Sequence, residues 1–383
     1  MAWCDLRAAG RAEGPCRVLV LQGGGALGSY QAGVFEALDE GCFLPDWVAG
    51  TSIGAINGAL IAGNPPGLRL ARLRAFWDTV TAGLPVEADP GGREANAFWH
   101  QWAAALTALG GAPGFFRPHW PPVLPWLAGP LGLYDTRPLR ETLEQLVDWD
   151  LLNAGVVRLS VGAVNVETGN FRYFDTAHER LGPEHVMASG ALPPGFAPVE
   201  IDGEFWWDGG LVSNTPLEHV LDMHDDTDLV VIQVDLFPAR GDMPMSLAEA
   251  EERVSDIRFS SRTRLVTNAG LKLDAVRKAG RRLLDALPAE LANTPEGRAL
   301  ARQVRGGGRV AIGQLIYRDQ PVRGVARGRE FSRRTMRAHW ASGLRDMQAG
   351  MACAARLAHQ MPDGISSHDL TATGRRVFEE AAE

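Results

Sequence analysis

Four apolar runs stand out along the chain: "RVLVLQ" (17–22), "WVAGTS" (47–52), "VVRLSVGAVNV" (156–166) and "DLVVIQVDLF" (228–237). Runs that stay apolar instead of alternating predict strands buried on both faces, as in a parallel sheet. The period changes between them. "SYQAGVFEALDE" (29–40) puts Tyr30, Val34 and Leu38 on one helical face, and "INGALIAG" follows the second run as another helix. "DTRPLRETLEQLV" (135–147) carries Leu139, Leu143 and Leu146 as one stripe, with Thr136 placed to cap it. Strands alternating with helices predict an α/β domain with a mostly parallel central sheet, spanning 16–236 after a loose leader, 1–15.

Other stretches are patterned differently. Residues 81–135 hold eight prolines together with Phe98, Trp99, Trp102, Phe115, Phe116, Trp120 and Trp126. Proline at that density argues against long helices and central strands. The stretch is expected to be an insertion that covers part of the sheet's rim, reading either as a lid over Ser52 whose aromatic side meets lipid or as a private mini-core that buries its tryptophans. A region rich in Ala, Leu and Arg, 237–360, follows the α/β domain and is expected to be mainly helical. Within it, "GGGRVAIGQLIYRD" (306–319) predicts a turn and a strand. A long helix is expected over 332–358, with Met336, Trp340, Leu344 and Met347 on or near one face. Residues 361–383 read as a polar tail, and no internal repeat is visible.

Composition narrows the class. A chain of 383 residues that is 45% hydrophobic can bury a large core. No apolar run reaches the ~18 residues that cross a bilayer. The N-terminal stretch lacks the apolar segment of a secretory signal, and Cys4, Cys16, Cys42 and Cys353 have neither metal nor redox spacing. The expected location is therefore cytoplasmic. The net charge of −8 is unevenly spread: residues 253–282 carry nine Arg or Lys against two Asp, and residues 302–337 carry ten Arg against Asp319 and Glu330. This basic third reads either as a solvated surface balanced by the acidic remainder or as a face for an anionic membrane at its inner side. The basic runs lack the regular aromatic interleaving of a nucleic-acid platform, so no nucleic acid partner is expected. Oligomeric state is not written in these patterns.

Three short motifs carry candidate chemistry. "GTSIGA" (50–55) places Ser52 between Gly50 and Gly54 at a strand-to-helix turn. Such an elbow projects a hydroxyl at a helix N-terminus, where free amides favour developing negative charge. "QGGGALGSYQAG" (22–33) also follows a strand and opens a helix. Its Gly23, Gly25 and Gly28 fit a dinucleotide loop, and its successive amides equally fit an oxyanion hole. The dinucleotide reading needs an acid at the end of the second strand. Asp46 precedes that strand, which favours the oxyanion reading. "DGEFWWDGGLVSNTPLEHV" (202–220) predicts a strand ending at Asp208, then Gly209, Gly210 and a helix capped by Thr215 with Pro216 at its first position. Asp208 reads either as a base for Ser52 or as a turn residue bonding its own backbone. Of the histidines, His100, His119, His339, His359 and His368 all fall in settings that suit packing or surface roles. "HDDTD" (224–228) reads as a solvated turn, and "RGGGR" (305–309) as a loop, since it precedes a strand.

Taken in order, "VLVLQGGGALGSYQAGVFEAL", "VAGTSIGAINGALIAG" and "ASGALPPGFAPVEIDGEFWWDGGLVSNTPL" resemble the patatin-like phospholipase family over roughly residues 16–236. The resemblance implies a three-layer α/β/α fold with a central, mostly parallel sheet. It implies lipid acyl-ester hydrolysis by a Ser–Asp dyad without histidine, with Ser52 as nucleophile and Asp208 as base. Backbone amides of Gly23, Gly24, Gly25 and Ala26 would form the oxyanion hole. Nothing in this constellation calls for a cofactor or a metal, since the oxyanion hole would be backbone amide. The family often carries a basic residue in or beside the glycine loop, whereas this loop reads Gly-Ala-Leu-Gly. Residues 237–360 resemble the extra C-terminal region of some bacterial members. An ordinary aspartate, with a pKa of about 3.9, is a feeble base for a hydroxyl, so the chemistry requires a dry site that raises it. Other readings that the residues leave open are a non-catalytic membrane-associated scaffold of the same fold, a nucleotide-binding enzyme and a Ser–His–Asp hydrolase.

Overall fold

In the computed structural model, which describes residues 14–83, 93–119, 131–223, 227–304, 307–318, 320 and 325–371, the apolar runs form one sheet. The strands are β1 (Cys16–Leu21), β2 (Trp47–Thr51), β3 (Arg117–Pro118), β4 (Tyr134–Asp135), β5 (Arg158–Asn165), β6 (Phe171–Asp175), β7 (Val199–Ile201), β8 (Glu204–Asp208), β9 (Leu229–Asp235), β10 (Val310–Ile316) and β11 (Ile365–Asp369). Nine of them join in the order β11-β10-β9-β1-β2-β5-β8-β7, with β6 also on β5. From β11 to β5 the strands are parallel. The antiparallel β6, β7 and β8 finish the sheet. β3 and β4 pair separately.

The described helices are α1 (Gly28–Glu40), α2 (Ile53–Ala62), α3 (Pro66–Val80), α4 (Arg93–Gly110), α5 (Arg137–Leu146), α6 (Trp149–Asn153), α7 (Pro183–Ser189), α8 (Leu217–Asp222), α9 (Leu247–Ala286), α10 (Ala289–Ala292), α11 (Pro295–Gln303) and α12 (Arg333–His359). Strand alternation sorts the sheet's side chains between two cores. Leu19 and Leu21 of β1 face the larger one, with Val48, Ile232, Leu38, Leu60, Trp77 and Met347. Cys16, Val18 and Val20 face a smaller one, with Trp47, Val231, Leu217 and Val220. On the larger side α1 is buried from Gly28 to Leu38. It lies under α12, and the Tyr30 hydroxyl donates to Asp346 at 2.8 Å. On the smaller side lie α8 and α9, completing the three layers. None of the described helices is long and apolar enough to cross a membrane.

The structure departs from the sequence expectations in instructive places. The insertion contains an 18-residue helix, α4. Its prolines cluster at 85–90 and from 113 onward, which leaves the stretch between free to coil. Phe115 and Phe116 are buried in the main core, in ring contact with Phe196 and Phe331. Trp102 is 47% exposed, while Trp120 and Trp126 lie outside the described residues. Thr136 makes no side-chain cap. The Arg137 amide instead donates to Asp135 at 2.9 Å. The chain after 236 also supplies β10 and β11 to the sheet. β11, "ISSHD", falls in the polar tail and carries no apolar signature; the ladder to β10 makes it a strand.

Candidate active site

β2 ends at Thr51 and α2 begins at Ile53, so Ser52 alone makes the elbow. Its φ of 57° and ψ of −124° are strained for a residue with a Cβ. The turn is tight enough that a Cβ on Gly50 would overlap the Gly54 carbonyl, and one on Gly54 the Leu21 carbonyl. The Ser52 amide donates to Ser189 Oγ at 3.0 Å, and Ser189 donates to the Gly162 carbonyl at 2.7 Å. Ser189, at the end of α7, thus ties the elbow to β5.

The register of β5 brings Asp208 to Ser52. β2 pairs with β5 as far as Thr51 opposite Gly162, and β8 takes the next place, Asp208 opposite Ala163. The other edge of Ala163 is held by Arg172 of β6. β8 therefore occupies the side that β2 has just left, and Asp208 arrives beside the elbow. Its carboxyl is buried and accepts the Gly210 amide at 2.7 Å. Burial pushes its pKa up to about 6, and the Gly210 amide and the nearby Ser52 hydroxyl only partly offset that rise.

The glycine loop flanks the same point. A Cβ on Gly23 would stand 3.0 Å from Ser52 Cβ. The Gly23 amide is already spent on the Asn214 carbonyl, at 3.1 Å. It cannot serve as the anion donor that the sequence suggested. The loop then runs into a 3₁₀ turn, Gly25–Leu27. Helix starts leave amides unpaired, and among the described residues the amides of Gly24, Gly25 and Ala26 meet no acceptor. Gly25 has a φ of +58°, and a Cβ there would overlap the Gly328 carbonyl. The 3₁₀ segment Val325–Gly328 thus backs the loop from the C-terminal third.

Sequence reasoning missed the residues that hold these pieces together. Asn214 grips Gly23 from both sides: its carbonyl accepts the Gly23 amide, and its Nδ2 donates to the Gly23 carbonyl at 2.9 Å. A Cβ on Gly210 would lie 2.8 Å from Asn214 Oδ1, so the same side chain touches the Asp208 turn. Gln22 is fully buried. Its Nε2 donates to Thr215 Oγ1 at 2.9 Å, and its Oε1 accepts the Leu236 amide at 2.6 Å. Thr215 and Pro216 do not start α8 as expected. The helix begins at Leu217, which leaves Thr215 free to bond Gln22 and Thr263. The one available signal was a lone Gln closing an apolar run.

No histidine among the described residues bonds Ser52 or Asp208. His339 is buried against the Tyr317 hydroxyl at 2.6 Å, and burial lowers its pKa to about 4. His100 packs between Glu330 and Thr335. His368 is buried in β11, and His359 bonds its own helix. Most of the acidic turn at 224–228 lies outside the described residues, and Asp228 is engaged by Arg309. Among the described residues no cluster of His, Cys, Asp and Glu could hold a metal ion.

A hydroxyl, a buried carboxylate and three unpaired amides converge at the carboxyl ends of the strands, where α/β sheets place their ligands. A family model described as patatin-like phospholipase matches residues 19–221, more than half of the chain. The chain belongs to the patatin-like phospholipase family. A second model, described as patatin phospholipase, matches residues 257–363, from within α9 to just before β11. The lysophospholipase nte1 of Aspergillus terreus is 54% identical over 56 residues, which are 15% of this chain and 3% of that protein's length. Among solved structures, VipD from Legionella pneumophila aligns at 14% identity with a TM-score of 0.34, over 87% of this chain and 68% of that one. Human GIVD cytosolic phospholipase A2 aligns at 12% identity with a TM-score of 0.33, over 65% of this chain and 45% of its own.

Proposed function

We propose that this chain hydrolyses lipid acyl esters through an acyl-enzyme, with Ser52 as nucleophile and Asp208 as general base. The observation that carries the reading is the β5 register, which brings buried Asp208 beside the Ser52 elbow. Ser52 Oγ attacks the ester carbonyl carbon while Asp208 takes the hydroxyl proton. The carbonyl electrons move onto oxygen, toward the amides of Gly24, Gly25 and Ala26. The tetrahedral adduct collapses, the alcohol leaves with the proton from Asp208, and the acyl group stays on Ser52. Water then attacks the acyl carbon, Asp208 takes its proton, and the fatty acid departs as Ser52 regains a hydrogen.

A carboxyl with a pKa of about 6 is a better proton acceptor than an exposed aspartate, which is the use of burying it. Each oxyanion donor of this type contributes roughly 2.7–4 kcal/mol to the transition state. Because those donors are backbone amides, hydrolysis is expected to persist in excess chelator. Family membership and the short match to a lysophospholipase support phospholipids or lysophospholipids as the substrate class.

A panel of phospholipid, lysophospholipid, neutral glyceride and thioester substrates, assayed beside Ser52→Ala, tests the proposal. Turnover by the wild type that disappears in the variant is the expected result. No turnover of any lipid, with no labelling by a serine-reactive probe, would instead assign the chain to a non-catalytic scaffold.

A further inference from the structure

Helix α9 has a largely polar inner face and an apolar outer one. A helix on a soluble domain turns its apolar stripe to the core and its polar side to water. Facing the protein, α9 buries Asp256, Ser260, Thr263 and Thr267, with Phe259 and Val266 packed against the cores between them. Asp256 pairs with Arg327, and Thr263 bonds Thr215 at 2.8 Å. On its outer side Leu265 is 67% exposed, Leu273 49%, Val276 66% and Leu283 56%. At 1.5 Å per residue, Leu265 to Leu283 is a stripe about 27 Å long.

The charges on this stretch are one-sided. Between 253 and 282 the acids are Asp256 and Asp274 alone. Asp256 is buried on Arg327, and Asp274 accepts Lys278 at 2.9 Å and the Ile365 amide at 3.1 Å. Arg264, Lys272 and Arg282 are exposed among the apolar residues. The second basic run is used differently, since Arg309, Arg318 and Arg327 pair with Asp228, Asp369 and Asp256 inside the molecule. The outward cations of α9 therefore belong to a surface, not to the fold.

We propose that the outer face of α9 is a docking surface for an anionic lipid bilayer. Leu and Val side chains would enter the boundary between headgroups and acyl chains, and Arg264, Lys272 and Arg282 would meet anionic headgroups. Apolar residues mixed with Lys and Arg are the composition of helices that lie in that plane. A second copy of the chain fits the apolar residues but not the charge. Two such faces would set cation against cation, with no outward acid between 253 and 282 to pair them. The lipid-hydrolase reading explains why a bilayer would be the partner, but the docking itself can be measured without catalysis.

The test is co-sedimentation of the full chain with phosphatidylcholine vesicles, with and without phosphatidylglycerol. The wild type should bind the anionic vesicles, and added salt should weaken the binding. The variant Leu265→Gln/Val276→Gln/Leu283→Gln should lose binding to both vesicle types. Arg264→Glu/Lys272→Glu/Arg282→Glu should lose about 100-fold on anionic vesicles and little on neutral ones. Both variants should unfold at the wild-type temperature and keep wild-type turnover of a soluble short-chain ester. Three results would overturn the proposal: a wild type that does not bind vesicles, variants that bind as well as it does, or a wild-type dimer that the Leu/Val variant makes monomeric. Vesicle binding by a wild type that cleaves no ester would leave docking intact and sink the catalytic proposal instead.

Discussion

On one face of the sheet, α1 is buried from Gly28 to Leu38 and covered in turn by α12. On the other, α9 turns Asp256, Ser260, Thr263 and Thr267 inward around Phe259 and Val266 and leaves Leu265, Leu273, Val276 and Leu283 outside. The first face is held by apolar area, at about 1.5–3 kcal/mol for each fully buried large side chain. The second combines apolar packing of Phe259 and Val266 with directional bonds that run into the catalytic loops: Thr263 to Thr215, Gln22 to Thr215, and Arg327, next to the Gly328 that backs Gly25. The two layers thus have different duties. One supplies stability, and the other positions the glycine loop while keeping an apolar surface free.

The largest expected effect removes chemistry and spares both faces. Ser52→Ala and Asp208→Asn should each lower kcat by about 1000-fold or more, and the double variant should be little worse, because the pair acts as a unit. Full additivity in kcat would show that they do not. Turnover should also follow Asp208 in pH. Only the carboxylate accepts a proton, so kcat/KM should rise through about pH 6 and level off above it. Stability should run the other way. The folded state keeps this proton up to about pH 6, whereas the unfolded chain releases it near 3.8. The group therefore favours the folded state at low pH, and that contribution is lost as pH rises from about 3.8 to about 6. Asp208→Asn should accordingly be more stable than the wild type above pH 6, by ~1–3 kcal/mol. Denaturant melts below pH 4 and above pH 6 would show whether the gap opens.

Next come the faces themselves. Leu38→Ala, on the α1 side, should cost ~2–5 kcal/mol in urea unfolding, as expected where a cavity is left in a packed core. Thr263→Val, on the inner side of α9, should cost about 1 kcal/mol. It should also lower kcat more than it changes KM, since it loosens the support behind Gln22. An unchanged kcat would mean that the polar layer is only structural. Smallest of all, Val276→Ala on the outer side of α9 should stay within ~0.5 kcal/mol of the wild type. A loss equal to that of Leu38→Ala would erase the contrast between the two layers.

What the sequence by itself determined is what depends on near neighbours. The apolar runs became β1, β2, β5 and β9. The Gly-Thr-Ser-Ile-Gly turn became an elbow because no side chain fits at Gly50 or Gly54. Asp208 closed its strand before the Gly-Gly turn as read. Tertiary structure decided the rest, because the forces involved act between segments far apart in the chain. The ladder on β5 chose which residue stands beside Ser52. Asn214 and Ser189 gained their roles only when loops from elsewhere met them. The Gly23 amide, legible as a donor, was taken by a carbonyl that no local pattern announces. "ISSHD" became a strand because β10 offered it unpaired amides and carbonyls. The composition of 237–360 announced helix, but not which side of α9 would face inward. Periodicity marks a stripe, whereas the partner that covers the stripe is set by the whole fold and by what binds to it.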